Sequence, residues 1–181
     1  MSTRDKIVSL GLELIQIKGI NGFSFADIAK VINIKKASIH YYFPSKHDLI
    51  EAVLEKYSID FFEALKASTA STLKEKLEYY IFLYRANLTE GRICLCTDLA
   101  MDTNNLSSDI NAKVGSFFEK NLAWLQEQFS EDSEQKLASE FFASLQGAQL
   151  IARNQKSINY FDMVTANSIE RILVTPLSYT H

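Results

Sequence analysis

Lys36, Ala37, His40 and Tyr41 stand at i, i+1, i+4 and i+5, so on a helix they share one face. A cation, a methyl group, an imidazole and a phenol on one narrow face can bond phosphate oxygens and base edges in a DNA groove. Lys35 adds a second cation at the start of the segment, and the small side chain at 37 lets a helix approach a groove closely. Ile39 and Phe43 point the other way, towards a core. Ser38 and Tyr42 flank the face and can reach phosphates, Lys46 follows as a further cation, and Ser24 can cap an upstream helix while offering that helix start to a phosphate. A plainer reading uses the same residues: Tyr41, Tyr42 and Phe43 as core aromatics and the lysines as a solvated face. Spacing alone leaves both open.

Other chemistries find less support. The three histidines are His40, His47 and His181, and none accompanies a serine or cysteine nucleophile in the second half of the chain, which argues against an enzyme. Two cysteines, Cys94 and Cys96, give too few ligands for a structural zinc site and a poor spacing for a disulfide, so neither metal nor cofactor is expected. The N-terminus has no apolar signal core, and no apolar run approaches the roughly 20 residues of a membrane span. A cytoplasmic location away from membranes is the expectation.

The elements that must position these residues read as helices throughout. Only Pro44 and Pro176 break the chain as prolines, and no segment sustains strand alternation. A first helix is expected over about 3–18, with Ile7, Leu10, Leu14 and Ile17 on one side. Ser24 then caps a short second helix, a break falls at Asn33-Ile34, and a third short helix covers about 36–43. Pro44 ends it, and Ser45 caps a long fourth helix over about 46–68. Later helices are expected near 73–88, 94–103, 107–129, 132–155 and 158–174, with Ser107 and Asp132 as caps. Two short helices joined by a tight turn and braced by a first helix make a helix-turn-helix. The expected architecture is all-α: a helix-turn-helix domain over 1–46, then a larger helical domain over 47–181.

Charge follows the same division. Residues 1–46 carry seven Lys/Arg against three acids, a balance of +4, although the whole chain stands at −3. A basic head on an acidic body is what phosphate binding needs.

The stretch IKKASIHYYFPSKHDLI resembles the DNA-binding signature of the TetR/AcrR family of regulators. Tyr41-Tyr42-Phe43-Pro44-Ser45-Lys46 and Asp48-Leu49 fill that signature, and Ser24 with Asp27-Ile28-Ala29 matches the opening of the family's second helix. The resemblance covers about 1–60. It implies phosphate contacts at Tyr42 and Lys46 and base-reading positions at Lys36, Ala37, Ser38, His40 and Tyr41. Two departures, Ala37 where Gly is common and His40 where Tyr is common, bear on which operator is read.

The resemblance also implies a C-terminal domain with an effector pocket and two final helices that pair with a second subunit. GRICLCTDLAMD and KVGSFFEKNLAWL are similar to a subgroup that includes regulators of detoxification and efflux genes. Phe117, Asn121 and Trp124 follow one stripe of the seventh helix and are the expected pocket lining. Cys94 and Cys96 are either small buried hydrophobes or a thiol sensor for electrophiles. Leu145, Gly147, Ala148, Ala152, Phe161, Val164 and Ile172 on the last two helices would build an intersubunit four-helix bundle, or else pack within the chain.

The expected function is a homodimeric repressor of double-stranded operator DNA, released by a small hydrophobic or electrophilic effector that shifts the spacing of the two recognition helices. An activator with the same helix-turn-helix, or an all-α protein-binding adaptor, are the alternatives.

Overall fold

Short polar side chains decide where the helices start. In the computed structural model, which describes residues 1–129 and 135–174, the described residues form nine α-helices: α1 Thr3–Lys18, α2 Phe25–Val31, α3 Lys36–Tyr42, α4 Lys46–Lys66, α5 Leu73–Thr89, α6 Leu95–Ala100, α7 Ser108–Gln126, α8 Gln135–Gln155 and α9 Ile158–Val174. Ser2 with Asp5, Ser24 with Asp27 and Thr72 with Glu75 form reciprocal capping boxes on α1, α2 and α5. Ser45 with Asp48 does the same on α4. Each such cap contributes about 0.5–2 kcal/mol by satisfying backbone donors that would otherwise have no partner. Asp132, expected as a cap, lies outside the described residues, as do Pro176 and His181.

Where the observed helices differ from the expected ones, the cause is local. The third helix stops at Tyr42, because Phe43 precedes Pro44 and is driven to extended backbone (φ −137°, ψ 95°). The segment expected as one helix over 94–103 divides into α6 and a 3-10 turn, Thr103–Asn105. Asp102 sits at the break, and its carboxylate accepts from the side chains of Asn21, at 2.8 Å, and Asn105. Those bonds favour a turn over a continued helix.

The chain divides into two compact units, 1–64 with 92–118 and 65–91 with 119–181. In the first, Ile7, Ile15, Ile28, Ile39, Leu49 and Val53 are sealed from solvent. Gly11 lets α1 lie close on α4, since a Cβ there would stand 3.2 Å from Val53 Cγ2. Gln16 on α1 donates to the Ile93 carbonyl at 2.7 Å, and His47 on α4 donates to the Asn105 carbonyl at 3.2 Å. Tyr57, Phe61, Phe62 and Phe117 form an aromatic cluster, with Phe117 5.3 Å from Phe61 and 5.6 Å from Tyr57 between ring centroids.

In the second unit, α8 and α9 form a helical hairpin closed at Lys156, which takes a positive φ of 51°. Leu77, Phe141, Leu145 and Phe161 are buried there. Arg85 holds Asp162 through two bonds of 2.7 and 2.9 Å, tying α5 to α9. No described helix is long and apolar enough to cross a membrane.

Candidate nucleic-acid interface

The turn between α2 and α3 is made by Asn33 in the left-handed region (φ 56°) and closed by Ile34 N–H donating to the Ala29 carbonyl at 3.0 Å. That turn presents α3 with Ile39 buried beneath it and Lys35, Lys36, Ala37, His40, Tyr41 and Tyr42 on its exposed side. Tyr41 is 82% exposed. Its ring meets Tyr42 edge to face at 5.2 Å, so the two phenols brace one another outside the core. The core role open for both tyrosines in the sequence falls to Phe43 alone, which is buried.

Not every expected contact residue stands free. His40 packs edge-on against Phe25 at 5.0 Å, and its Nδ1 donates to the Pro44 carbonyl at 3.3 Å. Its ring therefore links α2, α3 and the turn into α4. Lys46 is drawn inwards as well. Its ammonium donates to the Phe23 carbonyl at 2.7 Å and lies 4.2 Å above the Phe23 ring. Burial lowers its pKa, and the Asp27 charge partly offsets that. Ser24 spends its hydroxyl on Asp27, at 2.8 Å, and Ser38 is half-buried. Sequence spacing missed the ring contact of His40 with Phe25 and the bond of Lys46 to Phe23, because both partners stand outside the stretch from Lys35 to Lys46.

The residues of the expected pocket fall into two groups. Phe117 belongs to the aromatic cluster of the first unit. Asn121, fully buried in the second unit, accepts from the hydroxyls of Tyr80 at 2.7 Å and Tyr84 at 3.2 Å. Trp124 stacks flat on Tyr80, 5.3 Å away and 11° from parallel. A groove of about 600 Å³ is lined by Leu88, Ala152, Arg153, Lys156 and Ile158, and by neither Asn121 nor Trp124.

Cys94 and Cys96 are both fully buried. Burial pushes the Cys94 thiol up, but hydrogen bonds from Cys96, Tyr57 and Thr97 outweigh that and leave it below the ordinary thiol value. Burial pushes Cys96 well up. The Tyr57 hydroxyl is buried beside them, and burial with the neighbouring thiols raises its pKa.

On the last two helices, Leu145, Ala148, Ala152, Phe161 and Ile172 are already buried within one chain. Gly147 and Val164 are half-buried, and open space lies over Gly147. The described residues hold no cluster of three or more His, Cys, Asp or Glu suited to a metal ion.

Comparison with known proteins agrees with this geometry. Residues 7–53 match the family described as bacterial regulatory proteins, tetR family. The chain is 30% identical to a TetR transcriptional regulator from Legionella pneumophila, with a TM-score of 0.86 over 94% of this chain and 97% of that one. It is 27% identical to a TetR-family regulator from Agrobacterium tumefaciens, with a TM-score of 0.86 over 93% and 96%. It is also 26% identical, over 78% of this chain and 77% of the relative, to IcaR of Staphylococcus aureus, the negative transcriptional regulator of the icaADBC biofilm operon. A chain whose described residues are all-α, that opens with a helix-turn-helix and shares 94% of its length with such a regulator belongs to the TetR family of bacterial transcriptional regulators.

Proposed function

We propose that this protein is a homodimeric repressor that holds palindromic operator DNA with α3 of each subunit and is released by a small effector. The observation that carries it is the exposed side of α3. Two lysines and two solvent-facing tyrosines stand there on a helix whose opposite side is anchored by Ile39. The Tyr41 ring, left 82% in water beside Tyr42 and the two lysines, would be covered by a groove. Lys35, Lys36, Tyr42 and Lys46 would bond phosphates, with Ser24 and Ser38 at the flanks. Ala37, Tyr41 and, from the edge, His40 would face the bases. Repression is the sense favoured by likeness to IcaR, a negative regulator.

Residues 1–46 act in this reading as the DNA-binding head and 47–181 as the effector and dimer domain. Dimerisation would use the outer side of the α8–α9 hairpin. Ile151, Met163 and Val174 are exposed there, with open space over the half-buried Gly147, and Leu145, Ala148, Ala152, Phe161 and Ile172 are buried in the same two helices. Val164 lies at the edge of that surface.

Effector binding is assigned to the tyrosine-lined surroundings of Asn121 in the second unit, with Asn121 orienting the ligand and Trp124 contributing a ring. Cys94 and Cys96 would serve an electrophilic effector only after local opening, since neither thiol meets solvent. The test is retention of promoter DNA from the protein's own locus by the purified full chain. Sequence-specific, salt-sensitive binding is expected; its absence would sink the reading. Serine at both 94 and 96 should abolish release by electrophiles, and unchanged release would exclude the thiols.

A further inference from the structure

We propose that α3 reads its half-site as guanine beside thymine, with Lys36 donating to the guanine edge and the Ala37 methyl and Tyr41 ring packing on thymine 5-methyl groups. This rests on the reading that α3 enters the major groove.

The argument turns on what the exposed side of α3 lacks. Adenine is selected in the major groove by a carboxamide that both donates and accepts, and cytosine by a carboxylate that accepts from its amino group. From Lys36 to Tyr42 there is neither carboxylate nor carboxamide. The acceptors that remain are the hydroxyls of Ser38, Tyr41 and Tyr42 and the Nε2 of His40, whose ring packs on Phe25 and whose Nδ1 donates to the Pro44 carbonyl; none of them pairs with a base edge in the two-point manner of a carboxamide. What is left facing outwards is an ammonium, a methyl, an aromatic ring and hydroxyls. An ammonium matches the O6 and N7 acceptors of guanine. A methyl and a ring match the one apolar group of the major groove, the thymine methyl.

Placement supports the pairing. Ala37 and Tyr41 are one turn apart on the same side, with Cβ atoms about 5–6 Å apart, so both reach neighbouring base pairs. The Tyr41 ring meets Tyr42 edge to face at 5.2 Å and stays 82% exposed, within reach of a base pair. Lys36 opens the helix, is exposed and has no ion pair among those described.

The test starts with selection of duplexes from a random library by the full-length protein. The enriched duplex is then remade with deoxyuridine for each thymine and 7-deazaguanine for each guanine, in turn. The expected motif has G next to T in each half-site. Loss of a contacted thymine methyl should weaken binding about fourfold, the worth of one buried methyl-sized group. In Ala37→Gly that deoxyuridine penalty should vanish at one position, and in Lys36→Met the 7-deazaguanine penalty should vanish. The proposal is overturned if every thymine tolerates deoxyuridine, or if every guanine tolerates 7-deazaguanine. Failure to enrich any motif would remove the operator reading beneath it as well, so the two failures are distinguishable.

Discussion

Lys46 joins two roles that one substitution can separate. Its ammonium donates to the Phe23 carbonyl at 2.7 Å and rests 4.2 Å over the Phe23 ring, so it latches the start of α4 to the turn before α2. A hydrogen bond from a charged donor is worth about 1.5–3 kcal/mol and an exposed cation–π contact about 0.5–1 kcal/mol. The site is half-exposed, so water screens both, and about 1–2 kcal/mol is the reasonable sum. For a chain of this size that corresponds to a melting temperature lower by about 2–8 °C in Lys46→Met, which keeps the apolar stem. The bond to Phe23 leaves two ammonium protons for a phosphate. Loss of one phosphate contact lowers the slope of log K against log salt by about 0.9, so wild type and Lys46→Met should differ about 3.5-fold more at roughly 50 mM salt than at roughly 200 mM. Lys36→Met is the control: it lies exposed on α3 and should change the melting temperature by less than about 2 °C. Thermal unfolding and fluorescence anisotropy on operator DNA give both quantities. An unchanged melting temperature for Lys46→Met would refute the latch, and an unchanged salt slope would remove Lys46 from the phosphate contacts.

Three further outcomes test other parts of the molecule. Glu75 is held at about 2, below its ordinary 4.5, by backbone and side-chain bonds from Thr72 and Ser71. Its contribution is therefore complete above that ordinary value and lost as the pH falls through about 2, so the melting-temperature advantage of wild type over Glu75→Gln should be flat near neutrality and shrink in acid. Phe117→Ala removes a buried ring from contact with Tyr57, Phe61 and Phe62 and should cost about 3–5 kcal/mol in urea unfolding; a loss under 1 kcal/mol would mean that the cluster collapses into the space. Ile151→Glu places a carboxylate on the outer side of α8, where the wild-type side chain is 39% exposed, and sedimentation should find a folded monomer with weakened operator binding. A dimer that persists would place the interface elsewhere.

Local chemistry made much of this protein legible as a sequence. Ser24, Ser45 and Ser107 cap helices because a hydroxyl can bond backbone donors three residues on, whatever the rest of the chain does. Pro44 bars helix at Phe43 for equally local reasons. The apolar period of 3.6 placed Ile39 under α3 and Lys36, Ala37 and Tyr41 over it. What periodicity reports, however, is a face, and it does not name the group that covers the face. Lys46 and His40 read as outward-facing polar residues, yet Lys46 bonds the Phe23 carbonyl and the exposed His40 ring packs edge-on against Phe25. Phe117, Asn121 and Trp124 share a stripe of α7, but one joins an aromatic cluster and the others a tyrosine-bonded polar knot. Leu145, Ala148 and Ala152 form an apolar stripe that is buried within the chain, leaving Ile151 exposed and Gly147 half-buried with open space over it. Caps, turns and amphipathic faces depend on neighbours within about four residues, so the sequence alone determined them. Which face meets which depends on contacts between residues far apart in the chain, and only the tertiary structure decided that.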